Sequence, residues 1–193
     1  MNRLLGFLVI MVAICVAAIA APATEAEQRA RRETFRTFAE LFVGEWQCEI
    51  KEYNGKDAEP VWSDSQRRMF EMTMSHHFMQ ERAILKTTDG RDYEPGLHLT
   101  TFDPHFDLVV QHGFWLPLQP DPLFRIEGRI DGKEYSGKMR IREESGAFDV
   151  RPFAIRWLDG DTWAIEVTDT LPDGTVFLRE RLTYTRRAPT PGP

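Results

Sequence analysis

Cysteine is nearly absent from this chain. Among 193 residues there are only two, Cys15 and Cys48, and Cys15 lies inside an apolar N-terminal run that we expect to be removed. One remaining thiol cannot form an internal disulfide, so the fold must depend on its apolar core. Because Cys48 lies two residues from Trp46 and from Ile50, we expect a small buried side chain, with a reactive thiol as the alternative.

A surplus of positive charge is also missing. The chain has 24 Lys and Arg residues against 30 Asp and Glu, for a formal net charge of −6. Nucleic-acid binding proteins use Lys and Arg to displace phosphate counterions. We therefore predict that nucleic acid is not a partner.

The common catalytic and metal-binding motifs are absent as well. The sequence contains no Gly-x-Ser-x-Gly, no phosphate-binding loop and no Gly-x-Gly-x-x-Gly, which removes the commonest hydrolase, kinase and dehydrogenase interpretations. No His-x-His or His-Glu-x-x-His spacing occurs, so no zinc site is predicted. The sequence indicates no cofactor and names no reaction.

The N-terminus has the pattern of a secretory leader. Arg3 precedes an almost unbroken apolar run over residues 4–21, which contains the small-residue pattern Ala18-Ile19-Ala20. This pattern predicts a signal peptide over residues 1–21, a periplasmic or secreted protein, and no stable membrane insertion after cleavage. An uncleaved membrane anchor and a lipid on Cys15 are the alternatives.

Residues 22–42 are predicted to form a short α-helix. Phe35, Phe38 and the pair Leu41 and Phe42 lie three to four residues apart, which places them on one face of a helix. We expect this aromatic face to pack against the sheet or to close one end of a barrel.

Short alternating segments separated by turn dipeptides fill the rest of the chain. Asn54-Gly55, Asp89-Gly90 and Asp131-Gly132 are hairpin signals, because Asn, Asp and Gly tolerate positive φ. No second strong helix pattern follows, which excludes βαβ architectures. We predict an all-β, ten-stranded antiparallel up-and-down barrel over residues 43–187, followed by a disordered tail over 188–193. The predicted strands are 45–53, 66–74, 77–87, 93–102, 107–115, 123–130, 133–142, 148–158, 162–170 and 175–186.

Several motifs, in their order along the chain, carry a resemblance. Gly44-x-Trp46 opens the first strand, and the later strands contain Phe-Met-Gln-Glu-Arg at 78–82, Leu-Thr-Thr-Phe-Asp at 99–103 and Leu-Thr-Tyr-Thr-Arg at 182–186. This series resembles the calycin superfamily, the lipocalins and fatty-acid-binding proteins, and is most similar to the lipocalin-like barrel families of uncharacterised bacterial proteins. The resemblance implies a calycin-like barrel and a small apolar ligand.

Charged residues are predicted on the inner face of the barrel. Glu81 and Arg82 are adjacent on a strand, so one of them must face inward, and Glu180 alternates with Leu178 and Leu182. A buried charge is costly unless it is paired. These residues therefore either form a buried pair that sets the strand register, or orient a ligand or act in acid/base chemistry.

Among the histidines, His112 is the main candidate for a functional side chain. We expect His98 and His112 to lie on opposite faces of one hairpin. His112 shares its face with Leu97 and Leu99 across that hairpin, so we predict that it faces inward. A buried imidazole in such surroundings is either a hydrogen-bonded core group, a ligand contact or a base.

These patterns define a predicted ligand site. Gly128 and Gly137 fall on predicted inner faces and are expected to leave room for a ligand, because ten strands can enclose a cavity.

The proline-rich segment 116–122 follows Trp115 and is expected to act as a lid, as a docking patch or as a cap on the core. The candidate ligand-binding residues are Trp46, Arg82, His112, Trp115, Tyr135, Trp163, Glu180 and Tyr184.

Three functions fit this sequence. The first is an exported barrel that binds a small, largely apolar molecule. The second is an enzyme that uses the same cavity for acid/base chemistry, with Glu81, Glu180 or His112 as candidates. The third is a solid-cored envelope protein that interacts through the 116–122 segment.

Overall fold

The chain folds into ten strands and one helix. The computed structural model describes residues 24–56, 58–115, 124–142 and 146–188, so the predicted leader, the 116–122 segment and nearly all of the predicted tail lie outside the described residues. Helix α1 covers Glu25–Glu40. The strands are β1 (Gly44–Glu52), β2 (Trp62–Thr73), β3 (Phe78–Lys86), β4 (Asp92–Asp103), β5 (Leu108–Trp115), β6 (Phe124–Asp131), β7 (Glu134–Arg142), β8 (Phe148–Trp157), β9 (Thr162–Thr170) and β10 (Val176–Arg186).

The sheet is a closed antiparallel barrel. Each strand pairs with its neighbours in sequence, and β1 pairs with β10 to complete the circle. Cys48 on β1 lies opposite Tyr184 on β10 and opposite Gln66 on β2. Closure removes unpaired sheet edges. The predicted ten-stranded up-and-down barrel with an N-terminal helix is confirmed.

Helix α1 begins with a capping box. The Thr24 side chain accepts from the Glu27 backbone N–H, and the Glu27 carboxylate accepts from the Thr24 backbone N–H, which satisfies two N–H groups that the helix leaves unpaired. Phe35, Phe38 and Phe42 are buried, as the spacing predicts, and Ala39 is buried beside them. Within the described residues, no helix is long and apolar enough to cross a membrane.

Aromatic side chains close one end of the barrel. Phe42, just after the helix, packs edge-on against Trp163 with ring centroids 4.6 Å apart, and against Trp157 at 5.4 Å. The indole N–H of Trp46 donates to the Phe42 carbonyl oxygen over 2.6 Å. Helix α1 and the residues that follow it therefore plug this end of the barrel.

Arg186 ties the last strand to the plug. Its guanidinium donates to the carbonyl oxygens of Leu41 and Val43, each over 3.0 Å, and lies 4.2 Å from the centre of the Trp46 ring. These contacts join β10 to the chain between α1 and β1, and a guanidinium over an indole adds a cation–π attraction.

Gly128 and Gly137 have a different role from the predicted one. They lie opposite each other on β6 and β7. A Cβ on Gly137 would lie 2.0 Å from the Glu127 carbonyl oxygen, and one on Gly128 would lie 2.3 Å from the Ser136 carbonyl oxygen. The prediction that these glycines leave room for a ligand is wrong, because the backbones of the two strands occupy that space.

We expect Gly137→Ala to destabilise the barrel by about 1–3 kcal/mol, because the new methyl group would overlap backbone atoms that cannot move independently. Gly160→Ala is the matched control, since a Cβ there meets nothing within 4 Å. Urea unfolding of both variants measures the difference in free energy. Equal stability of the two variants would contradict the close approach of β6 and β7.

Candidate functional site

A cavity of about 490 Å³ occupies the end of the barrel opposite the plug. Ligand pockets for small molecules usually have volumes of about 300–1,000 Å³. Among the described residues, the side chains that line the cavity come from β1 to β7 and from β9 and β10.

The register of β2, β1 and β10 arranges part of the lining in rows. Cross-strand partners face the same side of a sheet, so each row contributes one residue from each strand. We call the end of the barrel farthest from the plug the open end. From there inward, the rows are Trp62, Glu52 and Glu180, then Asp64, Ile50 and Leu182, then Gln66, Cys48 and Tyr184, of which Cys48 does not itself line the cavity. Trp163 stacks on Tyr184 with ring centroids 3.8 Å apart, so the aromatic plug forms the floor.

One side of the cavity is apolar. Strands β6, β7 and β9 contribute aliphatic side chains and one aromatic ring, whose contact with a ligand would be driven by burial of apolar surface. These residues are Phe124, Ile126, Met139, Ile141, Ile165 and Val167.

The opposite side carries a buried polar network. The Arg68 guanidinium on β2 donates to Glu81 Oε1 over 3.0 Å, and His98 Nδ1 lies 2.7 Å from Glu81 Oε2. The Tyr184 hydroxyl donates to Glu81 Oε1 over 3.3 Å. Glu81 and His98 are Cα partners on β3 and β4, so the strand register itself brings the carboxylate to the imidazole.

Glu81 is ionised inside this network. Burial alone raises the pKa of a carboxyl group, but His98 and Arg68 outweigh this and hold the pKa of Glu81 at about 2. A carboxylate has no hydrogen to donate. His98 Nδ1 must therefore carry the hydrogen in its bond to Glu81.

The network extends toward the open end. Arg68 Nη2 donates to Gln66 Oε1 over 2.7 Å, and Gln66 Nε2 donates to Asp64 Oδ2 over 2.8 Å. Because alternate residues of β2 face inward, these three polar side chains all belong to the inner face. They form a continuous polar strip along one strand.

Two carboxylates oppose each other at the open end. Glu52 and Glu180 are Cα partners on β1 and β10, and both line the cavity. Burial, followed by the Glu52 charge, raises the pKa of Glu180. This end of the cavity therefore disfavours additional negative charge.

Metal binding has no support in this part of the chain. Among the described residues, no group of three or more His, Cys, Asp or Glu side chains could hold a metal ion. Glu81 and His98 bond to each other rather than converging on a common point.

Five of the predicted site residues face the interior. Glu180 and Tyr184 line the cavity. Trp46, Tyr135 and Trp163 are buried in the core around the plug and do not line it. Tyr135 and Trp163 border a void of only about 20 Å³ beneath it. The structure thus brings two of the eight residues to the cavity and places three in the packed core.

Arg82 and His112 both lie outside the cavity, and the predicted inward orientation of His112 is wrong. Arg82 lies on the outer wall, where it pairs with Glu94 over 3.1 Å, and Glu81 faces inward instead. On β5 the cavity-facing residue is Gln111, so His112 lies outside, beside Leu99. Burial, and next the Arg125 charge, lower the pKa of His112. Trp115 ends β5, and its side chain lies outside the described part of the chain.

The cause of this error is the inner polar network. The prediction assumed that the apolar face of the β4–β5 hairpin, which includes Leu97 and Leu99, points inward. In the structure the inner face carries His98, Thr100 and Gln111, and the bond between His98 and Glu81 on the neighbouring strand offsets the cost of burying the imidazole. The apolar face lies on the outer wall.

Cys48 is a buried structural residue. It has no exposed surface, and burial raises the pKa of its thiol to about 12. A thiol that does not ionise near neutral pH is a poor nucleophile. The expectation of a small buried side chain is confirmed.

Sequence reasoning missed Arg68 and His98. Arg68 is almost completely buried, although it stands between Arg67 and Met69 in a stretch with no clear alternation of polarity. The signal that would have found them is the register. Once Glu81 is placed on the inner face, its β4 partner His98 must face inward too.

We expect the stabilising effect of Glu81 to vanish in acid. Its folded-state pKa of about 2 lies below the ordinary value of 4.5, so its contribution is present above about pH 4.5 and is lost as the pH falls toward 2. Glu81→Gln should cost about 3–5 kcal/mol at pH 7, because Arg68 loses its buried counter-charge, and should cost less at pH 3. Urea unfolding at both pH values measures this.

The same substitution at the exposed Glu49 is the control, with an expected change of about 0.5 kcal/mol or less at either pH. A cost of Glu81→Gln that does not decrease in acid would contradict the ionised buried pair.

Comparison with known proteins finds similar solved structures but no matching family. No protein-family model and no curated protein matches this chain, so membership of a bacterial lipocalin-like family is not supported. The chain is similar to the solved structure of a redesigned β-barrel, with 11% sequence identity over 78% of this chain and 95% of that chain and a TM-score of 0.36. It is also similar to the redesigned β-barrel mFAP0 bound to DFHBI, with 15% identity over 76% of this chain and 99% of that chain and a TM-score of 0.37. A third similar structure is the redesigned β-barrel mFAP1 bound to DFHBI, with 16% identity over 77% of this chain and 97% of that chain and a TM-score of 0.34. The ten-stranded barrel is given by the strand pairing of this chain itself.

Proposed function

We propose that this protein is an exported binding protein that holds a small, largely apolar molecule inside its barrel. The observation that carries the proposal is the cavity of about 490 Å³, with an apolar wall on one side and a few fixed polar groups on the other. Apolar walls with a small number of placed polar groups are the usual composition of small-molecule sites.

The size of the cavity favours a carrier over a solid-cored interaction protein. Protein interiors are close-packed, and voids larger than a water molecule are few. At the plugged end this barrel follows that rule, with Phe42, Trp46 and Trp163 packed in contact. At the open end a large space remains, which is the arrangement a ligand requires.

Export is part of the proposal and rests on the leader pattern of residues 1–21. An acidic protein whose described part contains a single cysteine, buried and unpaired, needs no disulfide formation after export. Fractionation of cells that express the full chain tests this part, since a periplasmic or secreted protein lacking the leader is the expected product.

An acid/base enzyme is a second candidate, favoured by one observation. Glu81 Oε2 and His98 Nδ1 lie 2.7 Å apart and both residues line the cavity, so a base oriented by a carboxylate faces the space that a substrate would occupy. The predicted catalytic candidates His112 and Glu180 do not join this pair, because His112 lies on the outer wall and Glu180 lies at the open end. Turnover of an apolar substrate that is lost in His98→Asn would establish this second function.

We expect the protein to bind the neutral probe N-phenyl-1-naphthylamine, with a rise in probe fluorescence on transfer into an apolar site. Met139→Trp should weaken binding at least about tenfold, because a larger ring at this wall position fills space that the probe needs. Arg140→Trp is the matched control on the same strand. Its side chain is half exposed on the outer face, so binding should be unchanged.

Native mass spectrometry of protein purified from its own host provides an independent measurement, with a co-purifying mass as the expected result. Absence of probe binding, together with a bare protein mass, would contradict the carrier proposal. Equal loss of binding in both tryptophan variants would place the probe outside the cavity.

A further inference from the structure

His98 occupies a special position in the cavity. It lines the cavity between the two walls, with Glu81 on one side and the Phe124 ring on the other, at a centroid distance of 4.9 Å in an edge-to-face arrangement. Its Nδ1 bonds to Glu81, whereas Nε2 makes no hydrogen bond to any other described residue. A polar atom at the junction of the two walls is therefore available to a ligand.

The bond to Glu81 determines what Nε2 can offer. Glu81 accepts from Arg68, from Tyr184 and from His98, and a carboxylate in this position can only accept. His98 Nδ1 therefore carries the hydrogen, and in the neutral imidazole Nε2 is left with a lone pair. In that neutral form the cavity presents an acceptor whose orientation the buried carboxylate holds fixed.

The charges around the cavity indicate what kind of group can approach. Among the described residues, the lining includes four carboxylates and a single guanidinium. The guanidinium, Arg68, is already paired with Glu81 over 3.0 Å. An anionic headgroup would meet uncompensated negative charge, while a neutral hydrogen-bond donor would not.

We propose that the cavity selects a neutral ring-containing ligand with a hydroxyl group that donates a hydrogen bond to His98 Nε2. The apolar body lies against the wall formed by Phe124, Ile126 and Met139, and the hydroxyl lies at the junction where the imidazole is exposed. This inference rests on the proposed function, and it names the chemistry that one residue of the site recognises.

Three naphthalenes of similar size test the inference by displacement of N-phenyl-1-naphthylamine at pH 7. We expect 2-naphthol to bind about five- to tenfold more tightly than 2-methoxynaphthalene, because the ether cannot donate and leaves Nε2 unpaired. We expect 2-naphthoate to bind more weakly than 2-naphthol, because its carboxylate meets the acidic lining. This comparison uses the unmodified protein and does not depend on the folding of any variant.

A matched pair of variants assigns the preference to one atom. In His98→Asn the amide nitrogen can replace the Nδ1–H donor to Glu81, but nothing replaces Nε2. The affinity for 2-naphthol divided by that for 2-methoxynaphthalene should therefore fall to about one. His112→Asn makes the same change on the outer wall of the neighbouring strand and should leave the ratio unchanged. Near-ultraviolet circular dichroism checks that both variants keep the aromatic core.

The possible contrary results separate the assignment to His98 from the carrier proposal. Equal binding of 2-naphthol and its methyl ether, or a preference that persists in His98→Asn, overturns the assignment to His98 and leaves the carrier proposal standing. Tighter binding of 2-naphthoate overturns the selection of a neutral donor. Binding of none of the three, with no signal from the fluorescent probe, contradicts both proposals.

Discussion

The pairing of β1 with β10 is the constraint on which the rest of the structure depends. Closure joins the first strand to the last through seven successive Cα pairs, from Trp46 and Arg186 to Glu52 and Glu180. In a closed barrel, alternate residues of every strand must face one common interior. This single register therefore decides which side chains meet, and it sets both the aromatic plug and the rows of the cavity.

Ten strands enclose more volume than their own side chains fill. The two ends of this barrel differ in what occupies the remaining volume. At one end helix α1 and Phe42 add aromatic rings from outside the sheet, and the space becomes a packed core. At the other end no such addition is seen among the described residues, and a cavity remains. The same barrel thus provides a rigid floor and an open chamber above it.

The polar side of the chamber depends on the pairing of its buried charges. Arg68 and Glu81 are almost fully buried and would be costly alone. Their mutual ion pair, with the added donors His98 and Tyr184, satisfies the carboxylate and fixes the imidazole. The groups that stabilise this wall are consequently the groups that present a defined acceptor to the cavity.

By itself the sequence determined the architecture, because turn dipeptides and period-two alternation are local signals. It placed ten strands, a helix with an aromatic face, and Glu180 and Tyr184 on the inner side. It could not determine which face of the β4–β5 hairpin is inner, since a network satisfied across strands makes polar His98 an inside residue and leaves His112 outside. Only the tertiary register decided that, because the cost of burying a polar group depends on its partner on the next strand and not on its neighbours in sequence.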